Sequence, residues 1–204
     1  MPETDLKKLK KINPDALFLG TNRFRDIVNL IKDYQENKLT KEKQEYYIST
    51  QREIKLNLPK KPLNTLISIH QISEGCVGNC TYCKTKLAKG KLFSYPKEDI
   101  LKSIESDLQN GAKEVWLTSE DCGAYGLDLN GKSNLPSLLK EILALKHKFK
   151  LRLGMSNPNN IMPILSELIE TYKDKKMYKF LHLPIQSASN NILTDMNRYY
   201  KIAD

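Results

Sequence analysis

Cysteine is scarce in this chain: the 204 residues include only four, and none of them precedes residue 76. Long apolar runs are lacking as well, since no stretch approaches the ~20 apolar residues that span a bilayer. The first twenty residues also lack the charged-then-apolar order of a secretory signal. We therefore expect a cytoplasmic protein with no membrane segment in this chain, with anchoring through a missing C-terminal part left open. In a reducing compartment, clustered cysteines serve as metal ligands or reactive thiols more often than as disulfides.

Acidic residues are too few to balance the basic ones. Lys plus Arg number 33 against 24 for Asp plus Glu, which gives a formal net charge of +9. A balance this basic favours a polyanionic partner, with RNA or DNA first. The alternative is a lysine-rich surface that reflects a biased genome. With 40% apolar and 28% charged residues, the composition is that of a globular protein.

The apolar pattern divides the chain into three regions. Residues 1–37 predict a short helix over "DLKKLKKI", a strand at "ALFLG", and a helix over "TNRFRDIVNLIKDYQ" that is capped by Thr21 or Asn22. The buried face of that second helix is predicted to be Phe24, Ile27, Val28, Leu30 and Ile31. Residues 38–64 read as a polar linker, in which "EYYIST" and "EIKLNL" could add a strand or a hairpin.

Residues 65–204 alternate strands and helices. The strands are predicted at "LISIHQI", "EVWLTSE", "FKLRLGMS" and "YKFLHLPI", and helices of 10 to 15 residues separate or follow them. Pro96 and Gly111 delimit the first of these helices, and Ser133 or Asn134 caps the second. Such alternation predicts an α/β fold with a parallel sheet. The loops after its strands, "SEGCVGNCTYC", "SEDCGAYG", "SNPNN" and "QSAS", should form one functional edge.

Three of the four cysteines, Cys76, Cys80 and Cys83, lie in one of these loops with C-x3-C-x2-C spacing. A zinc site, a redox pair at Cys80 and Cys83, and an iron–sulfur cluster with three protein thiolates are all candidates. Zinc would need a fourth ligand, and His70, six residues before Cys76 within a predicted strand, is not well placed to supply it. The residues "TY" between Cys80 and Cys83 give no sign of a thioredoxin-like turn. Gly75 and Gly78 allow the backbone to wrap a cluster closely, which favours the third candidate. Tyr82 would place an aromatic face beside it.

Four blocks of sequence resemble the radical S-adenosylmethionine methylthiotransferases: "GCVGNCTYCKTKLAKGKLFSYP", "EVWLTSEDCGAYG", "LRLGMSNP" and "FLHLPIQSASNNILTDMNRYY". More narrowly, "CTYCKTK" and the "TSED" and "GAYG" strings resemble the eukaryotic and archaeal branch that modifies threonylcarbamoyladenosine in tRNA. The resemblance runs from about Asn13 to Asp204. A three-cysteine loop alone would indicate only a radical S-adenosylmethionine enzyme.

The resemblance implies a set of ligands and roles. Cys76, Cys80 and Cys83 would hold a 4Fe-4S cluster whose fourth iron binds S-adenosylmethionine. Tyr82 and Glu120 would help to hold that cofactor. Glu120 would contact the ammonium group or the ribose hydroxyls of S-adenosylmethionine. Arg152 would pair with its carboxylate and Gln186 with the bound nucleoside. The alternatives are that Glu120 only caps a helix, that Arg152 is a salt-bridged strand residue and that Gln186 serves only its turn. No catalytic residue is assigned.

The resemblance also implies a larger parent protein. The chain would be a fragment: residues 1–37 the remnant of an N-terminal methylthiotransferase domain, and residues 65–204 an incomplete parallel radical-SAM barrel. A second 4Fe-4S cluster is expected only in the full-length parent. The implied partner is tRNA, at its anticodon loop, while the reductant protein and oligomeric state stay unassigned. Cys122 stands where related sequences carry a small hydroxyl residue. The alternatives are a sister enzyme that acts on another tRNA adenosine or a ribosomal protein, and an inactive cluster-binding or RNA-binding fragment.

Overall fold

The computed structural model describes residues 3–49, 51–62, 64–130 and 134–204. Within these ranges the chain forms two compact units that divide between Lys55 and Leu56. The predicted domain boundaries at residues 37 and 64 stay a prediction. No helix in the described residues combines the length and the apolar composition that a membrane crossing requires.

The first unit is helical. Its elements are α1 (Glu3–Ile12), a 3-10 helix (Thr21–Asp26), α2 (Ile27–Gln35) and α3 (Lys41–Tyr47). The first predicted helix is thus confirmed, but "ALFLG" and "EIKLNL" form no strand, and "EYYIST" begins inside α3. The reason for α3 is local, because Thr40 caps it by accepting a hydrogen bond from the Lys43 N–H at 3.3 Å.

The predicted cap and buried face of the second helix are also wrong. Gly20, and neither Thr21 nor Asn22, precedes the 3-10 helix as its N-cap residue. Of the five apolar residues that were expected to be buried, only Leu30 is, at 4% exposure. The others have large exposed side chains: Phe24, Ile27, Val28 and Ile31. The apolar period is present in the sequence, but only one of the five side chains that it predicts to be buried is buried in the described structure.

The second unit follows the α/β pattern. Its strands are β1 (Ile67–Gln71), β2 (Ser73–Glu74), β3 (Phe93–Ser94), β4 (Glu114–Thr118) and β5 (Lys150–Arg152). Its helices are α4 (Thr85–Lys89), α5 (Lys97–Gln109), α6 (Leu127–Asn130), α7 (Leu135–Ala144), α8 (Pro158–Ile161), α9 (Leu165–Tyr172) and α10 (Asn190–Asp195), with 3-10 turns at Cys122–Ala124 and Met162–Ile164.

The main sheet has the order β1-β4-β5, and both pairings are parallel. The strands are linked through α5 and α7, so the predicted parallel α/β arrangement is confirmed. Pro96 does precede α5, and Gly111 follows it with a φ of +101°. Asn134 precedes α7 without a side-chain capping bond, and Ser133 lies outside the described residues.

The fourth predicted strand is not formed. Residues 178–185 form no strand in the described structure, and the one isolated bridge to β5 joins Leu151 to Met177, directly before this segment. Tyr178 donates its N–H to the Leu151 carbonyl at 2.9 Å, and the next bond joins the Ser156 N–H to the His182 carbonyl at 3.0 Å. The segment follows the strand direction, but its hydrogen bonds are too widely spaced to make a ladder.

One face of the sheet is buried and the other is open. On the buried face Val115, Leu117 and Leu151 are each exposed by 1% or less. The core also contains the buried side chains of α5, α7 and α9, of which α5 contacts β1. On the opposite face Ile69 is 59% exposed and Trp116 is half-buried. Since successive side chains of a strand point to opposite faces, this alternation fixes which side the helices cover.

A polar network sits at the buried end of β1. His70 is 1% exposed, and its Nε2 lies 3.2 Å from Asp107 Oδ2 on α5. Ser68 contacts both groups, and Lys60 pairs with the same carboxylate. The network joins the chain before β1, the strand itself and α5 through a single carboxylate.

Candidate functional site

The cysteine loop begins at the carboxyl end of β1 and its extension β2. Residues 75–84 form neither helix nor strand, so side-chain and backbone contacts alone define the shape of the loop. Gly75 adopts a φ of +73°, and a Cβ there would collide with the Lys91 carbonyl oxygen. Cys76 donates its N–H to the Gly90 carbonyl at 3.2 Å, so the start of the loop is tied to the end of α4.

The loop brings two of the thiols to either side of one glycine. A Cβ at position 78 would lie 3.2 Å from Cys76 Sγ and 3.7 Å from Cys80 Sγ, so only glycine leaves that space open. None of the cysteines forms a disulfide; Cys76 and Cys80 are half-buried, and Cys83 is exposed. The loop therefore offers three free thiols and an open space between two of them.

Backbone amides point at two of the sulfurs. The Gly78 N–H donates to Cys76 Sγ at 3.2 Å, and the Thr85 N–H donates to Cys83 Sγ at 3.4 Å. Hydrogen bonds from Thr85 lower the pKa of the Cys83 thiol, whereas burial raises the pKa of Cys76. Hydrogen bonds of this kind stabilise a thiolate, which is the form that binds metals.

Cys122 is chemically separate from this loop. It is fully buried in the 3-10 turn after β4, where its Sγ lies 3.5 Å from Ser119 Oγ. Burial raises the pKa of Cys122 to about 11. It therefore behaves as a small apolar residue and not as a fourth ligand.

Unpaired buried polar atoms mark the same edge of the sheet. Ser73 Oγ follows β1, Glu120 Oε2 follows β4 and Ser156 Oγ follows β5, and each is buried without a hydrogen-bond partner in the described residues. The nearest cation to Glu120 is Lys89, 4.0 Å from its other oxygen. Buried polar groups are nearly always paired, so three exceptions at adjacent strand ends are groups available to a polar ligand.

Asp121, and not its neighbour Glu120, caps the turn that follows β4. Its carboxylate accepts the Gly123 N–H and the Asn157 N–H, each at 3.0 Å, and the Asn160 side-chain amide at 2.7 Å. It thus caps the turn after β4 and fastens it to the loop after β5. Glu120 is left free of that capping role.

Arg152 lies on the open face of the sheet. Its guanidinium carbon is 4.6 Å from the centroid of the Trp116 ring and 5.2 Å from that of Phe180. These cation–π contacts orient the side chain, and no ion pair in the described residues occupies it. Among the described residues, cation–π contacts and no ion pair hold Arg152, and its role stays a prediction.

Gln186 stands apart from the other predicted ligands. It is exposed and holds a φ of +67°, a conformation that is costly for a residue with a side chain. In the described chain no hydrogen bond joins Gln186 or Arg152 to the cysteine loop. Their roles toward a nucleoside and a carboxylate stay predictions.

The donor set fits an iron–sulfur cluster. In the parts of the chain that are described, no group of three His, Cys, Asp or Glu side chains surrounds a single metal-ion position. A cluster makes a different demand, because each thiolate binds a separate iron and the sulfurs stay apart. Three free thiols, the open space at Gly78 and N–H donors to two sulfurs meet that demand.

Residues 195–198, which the sequence analysis did not single out, also contact the cysteine loop. Arg198 donates from Nη2 to the Tyr82 hydroxyl at 2.6 Å, and Asn197 donates from its side chain to the Asn79 carbonyl at 2.8 Å. The sequence predicts a single helix over "SNNILTDMNRYY", whereas α10 ends at Asp195, so the apolar pattern gave no signal for this turn.

Residues 71–204 match the Radical SAM superfamily. A probable threonylcarbamoyladenosine tRNA methylthiotransferase of Pyrococcus horikoshii is 45% identical over 150 residues, which cover 74% of this chain and 35% of that protein. The threonylcarbamoyladenosine tRNA methylthiotransferase of Homo sapiens is 46% identical over 151 residues, 74% of this chain and 26% of the human protein. The chain thus spans about a third or less of these curated relatives.

Among solved structures, the cobalamin-dependent S-adenosylmethionine radical enzyme OxsB, with aqua-cobalamin and S-adenosylmethionine bound, has a similar fold. The TM-score is 0.64 at 15% identity, over 99% of this chain and 32% of that one. At that identity the likeness concerns the fold alone, and it confirms the predicted class.

Proposed function

Because the chain belongs to the radical SAM superfamily, we propose that it contributes to methylthiolation of the adenine ring of threonylcarbamoyladenosine, next to the anticodon in tRNA. The chemistry is supported by one observation: the loop with three free thiols lies at the same edge of the parallel sheet as the buried polar atoms of Ser73, Glu120 and Ser156, which have no partner in the described residues. The relatives at 45% and 46% identity carry the choice of substrate, since both are named for this reaction.

Cys76, Cys80 and Cys83 are the proposed ligands of a 4Fe-4S cluster. The amide donors of Gly78 and Thr85 would share the negative charge of the bound sulfurs. Three thiolates leave one iron without a protein ligand, which is where S-adenosylmethionine would bind. When bound, cluster and cofactor together supply the electron and the radical for hydrogen removal, and the protein supplies position.

The proposed contacts to S-adenosylmethionine come from the loops after β1 and β4, from the last residue of β5, and from the segment that follows residues 178–185. Glu120 would accept from the cofactor's ammonium or ribose hydroxyls through Oε2, which is buried and unpaired in the described chain. Arg152 stacks its guanidinium on Trp116 and makes no ion pair with a carboxylate of the described residues, which suits a carboxylate ligand. Tyr82 would cover the cluster beside Cys83, and Gln186 would reach the bound nucleoside.

The net charge of +9 agrees with an RNA substrate. The proposed core is residues 65–204, in agreement with the match over residues 71–204. We further propose a cytoplasmic location, where both tRNA and a low-potential reductant are available.

The decisive experiment is genetic and does not depend on which part of the protein this chain represents. Deletion of the gene in its own organism should abolish methylthio-threonylcarbamoyladenosine and leave threonylcarbamoyladenosine in its place. Mass spectrometry of digested tRNA measures both nucleosides. Restoring the wild-type gene should return the product, and a Cys80→Ser gene should not. Unchanged methylthiolation after deletion would contradict the proposed function, and loss from another adenosine would favour the sister enzyme.

A further inference from the structure

The turn that follows α10 holds the second half of the cysteine loop. We infer that residues 195–198 are a positioning element for Cys80 and Cys83, in which Asn197 fixes the loop backbone and Arg198 places a positive charge beside the bound cluster. The part of this inference that concerns the cluster rests on the proposed function. The contacts themselves join residues more than a hundred positions apart.

The turn is built by the way α10 ends. The Arg198 N–H bonds to the Leu193 carbonyl at 2.8 Å, and the Asn197 N–H bonds to the Thr194 carbonyl at 2.9 Å. This pair of bonds is the Schellman motif, which requires a left-handed residue after the helix, and Asn197 has a φ of 57°. Glycine is the usual residue there, and asparagine adopts this conformation at a greater energetic cost.

The asparagine side chain makes a hydrogen bond that glycine could not make. Its Nδ2 donates to the Asn79 carbonyl at 2.8 Å, directly before Cys80. Next to it, Thr81 donates its N–H to the Met196 carbonyl at 3.3 Å and its hydroxyl to the Asp195 carbonyl at 2.9 Å. Three hydrogen bonds therefore hold the backbone around Cys80.

Arg198 contacts the loop at Tyr82, between Cys80 and Cys83 in the sequence. Its guanidinium donates to the Tyr82 hydroxyl at 2.6 Å and stands 5.9 Å from the centroid of the Tyr82 ring, while its Nε is buried without a partner in the described residues. Tyr82 is bonded directly to Cys83. A fixed positive charge here favours the more negative, reduced state of a cluster held by Cys80 and Cys83, and the unpaired Nε–H is a donor still available to it.

Asn197→Gly tests the backbone part of the inference in the metal-free chain. Glycine accepts the left-handed conformation, so the end of α10 stays folded and only the side-chain bond to Asn79 is lost. We expect about fivefold faster hydrogen exchange at the Thr81 amide, the factor that corresponds to one ordinary hydrogen bond. Asn37→Gly is the matched control, because Asn37 is also left-handed, at a φ of 53°, but lies in the other unit.

The charge is tested in the reconstituted protein by redox titration of the cluster's electron paramagnetic resonance signal. Arg198→Gln should shift the reduction equilibrium toward the oxidised cluster about tenfold, which is about 59 mV for one electron. Arg198→Lys keeps the charge and should leave the potential close to that of the wild type. Tyr82→Phe tests the anchoring hydroxyl, and Tyr199→Phe is its control because Tyr199 is 73% exposed.

The two measurements separate this inference from the proposed function. Exchange at Thr81 that is equal in Asn197→Gly and wild type would overturn the inference, whatever the cluster does. A potential that is the same in Arg198→Gln and wild type would overturn the role of the charge. A wild-type chain that takes up no cluster would instead count against the proposed function, and the exchange result would still decide whether the turn holds the loop.

Discussion

The carboxylate of Asp121 accepts the backbone N–H of Asn157, with 3.0 Å between Oδ1 and N. This bond crosses from the loop after β4 to the loop after β5, and two further donors, Gly123 and Asn160, converge on the same buried carboxylate. Asp121 thus fixes the relative position of two of the loops that form the candidate site, although it sits beside a proposed ligand and not among the ligands.

Asp121→Ala should lower the free energy of unfolding by about 2–4 kcal/mol, because three donors lose a buried acceptor at once. Urea unfolding followed by circular dichroism measures the change. Asp15→Ala removes an exposed carboxylate and should change the same quantity by less than about 0.5 kcal/mol. Equal effects of the two substitutions would show that the Asp121 bonds contribute nothing to stability.

The His70 network predicts a pH dependence of stability. Burial lowers the pKa of His70, so the folded state binds its proton less readily than the unfolded state does. The stability contribution is therefore present above the unfolded pKa of about 6.5 and is lost as the pH falls toward the folded pKa. The free energy of unfolding should decline below about pH 6.5, by up to about 1.4 kcal/mol per pH unit.

His70→Gln should remove this component of the slope between about pH 6.5 and 5. His182→Gln, which removes an exposed imidazole, should leave it in place. Asp107 acts in a different window: burial alone would raise the pKa of its carboxyl, but hydrogen bonds from His70, Lys60 and Ser68 together hold it below the usual range. Its contribution is present above about pH 4 and is lost in stronger acid. A slope that persists unchanged in His70→Gln would rule out the assignment.

The cysteine loop predicts a metal content. Anaerobic reconstitution should give a brown protein with about one 4Fe-4S cluster per chain. Replacement of Cys76, Cys80 or Cys83 by alanine should abolish the absorbance and the bound iron, whereas Cys122→Ala should retain both because that thiol is fully buried. A colourless wild-type protein that holds one zinc per chain would refute the cluster.

Glu120→Gln should weaken S-adenosylmethionine binding by about 10- to 100-fold, the range for loss of one hydrogen bond to a charged group. Cluster loading should stay at the wild-type level, since Glu120 is not a proposed iron ligand. Calorimetric titration of the reconstituted protein measures the affinity, and Glu105→Gln, at an exposed position of α5, is the control. An affinity that does not change would leave Glu120 without its proposed role.

The parallel core could be predicted from sequence because its signals are local. The strands β4 and β5 carry apolar residues on the face that the helices cover, and Pro96 and Gly111 delimit α5 as expected. On β1 the same face carries Ser68 and His70, which the apolar pattern did not indicate. "YKFLHLPI" has the composition of a strand, but strand formation needs a continuous partner, and the bridge from Met177 to Leu151 is not continued. A pattern within eight residues does not contain that information.

The site shows the same division. The thiol spacing and the glycine at position 78 are legible in the sequence, and the structure places them together. The hydrogen bond between Asn197 and Asn79 could not be predicted from the sequence, because it depends on the path of the 117 residues between them. Nor does the sequence indicate that Asp121, and not Glu120, makes the capping bonds, since two adjacent carboxylates are equivalent until the backbone fixes their directions.

The support of the cysteine loop by the end of α10 also sets an order of events during synthesis. Thr81 leaves the ribosome 114 residues before Asp195, the residue whose carbonyl it contacts. At ordinary elongation rates that interval is on the order of ten seconds. Throughout it the cysteine loop lacks its hydrogen bonds to Asp195 and Met196, so the loop can reach its described conformation only after the end of α10 has been synthesised.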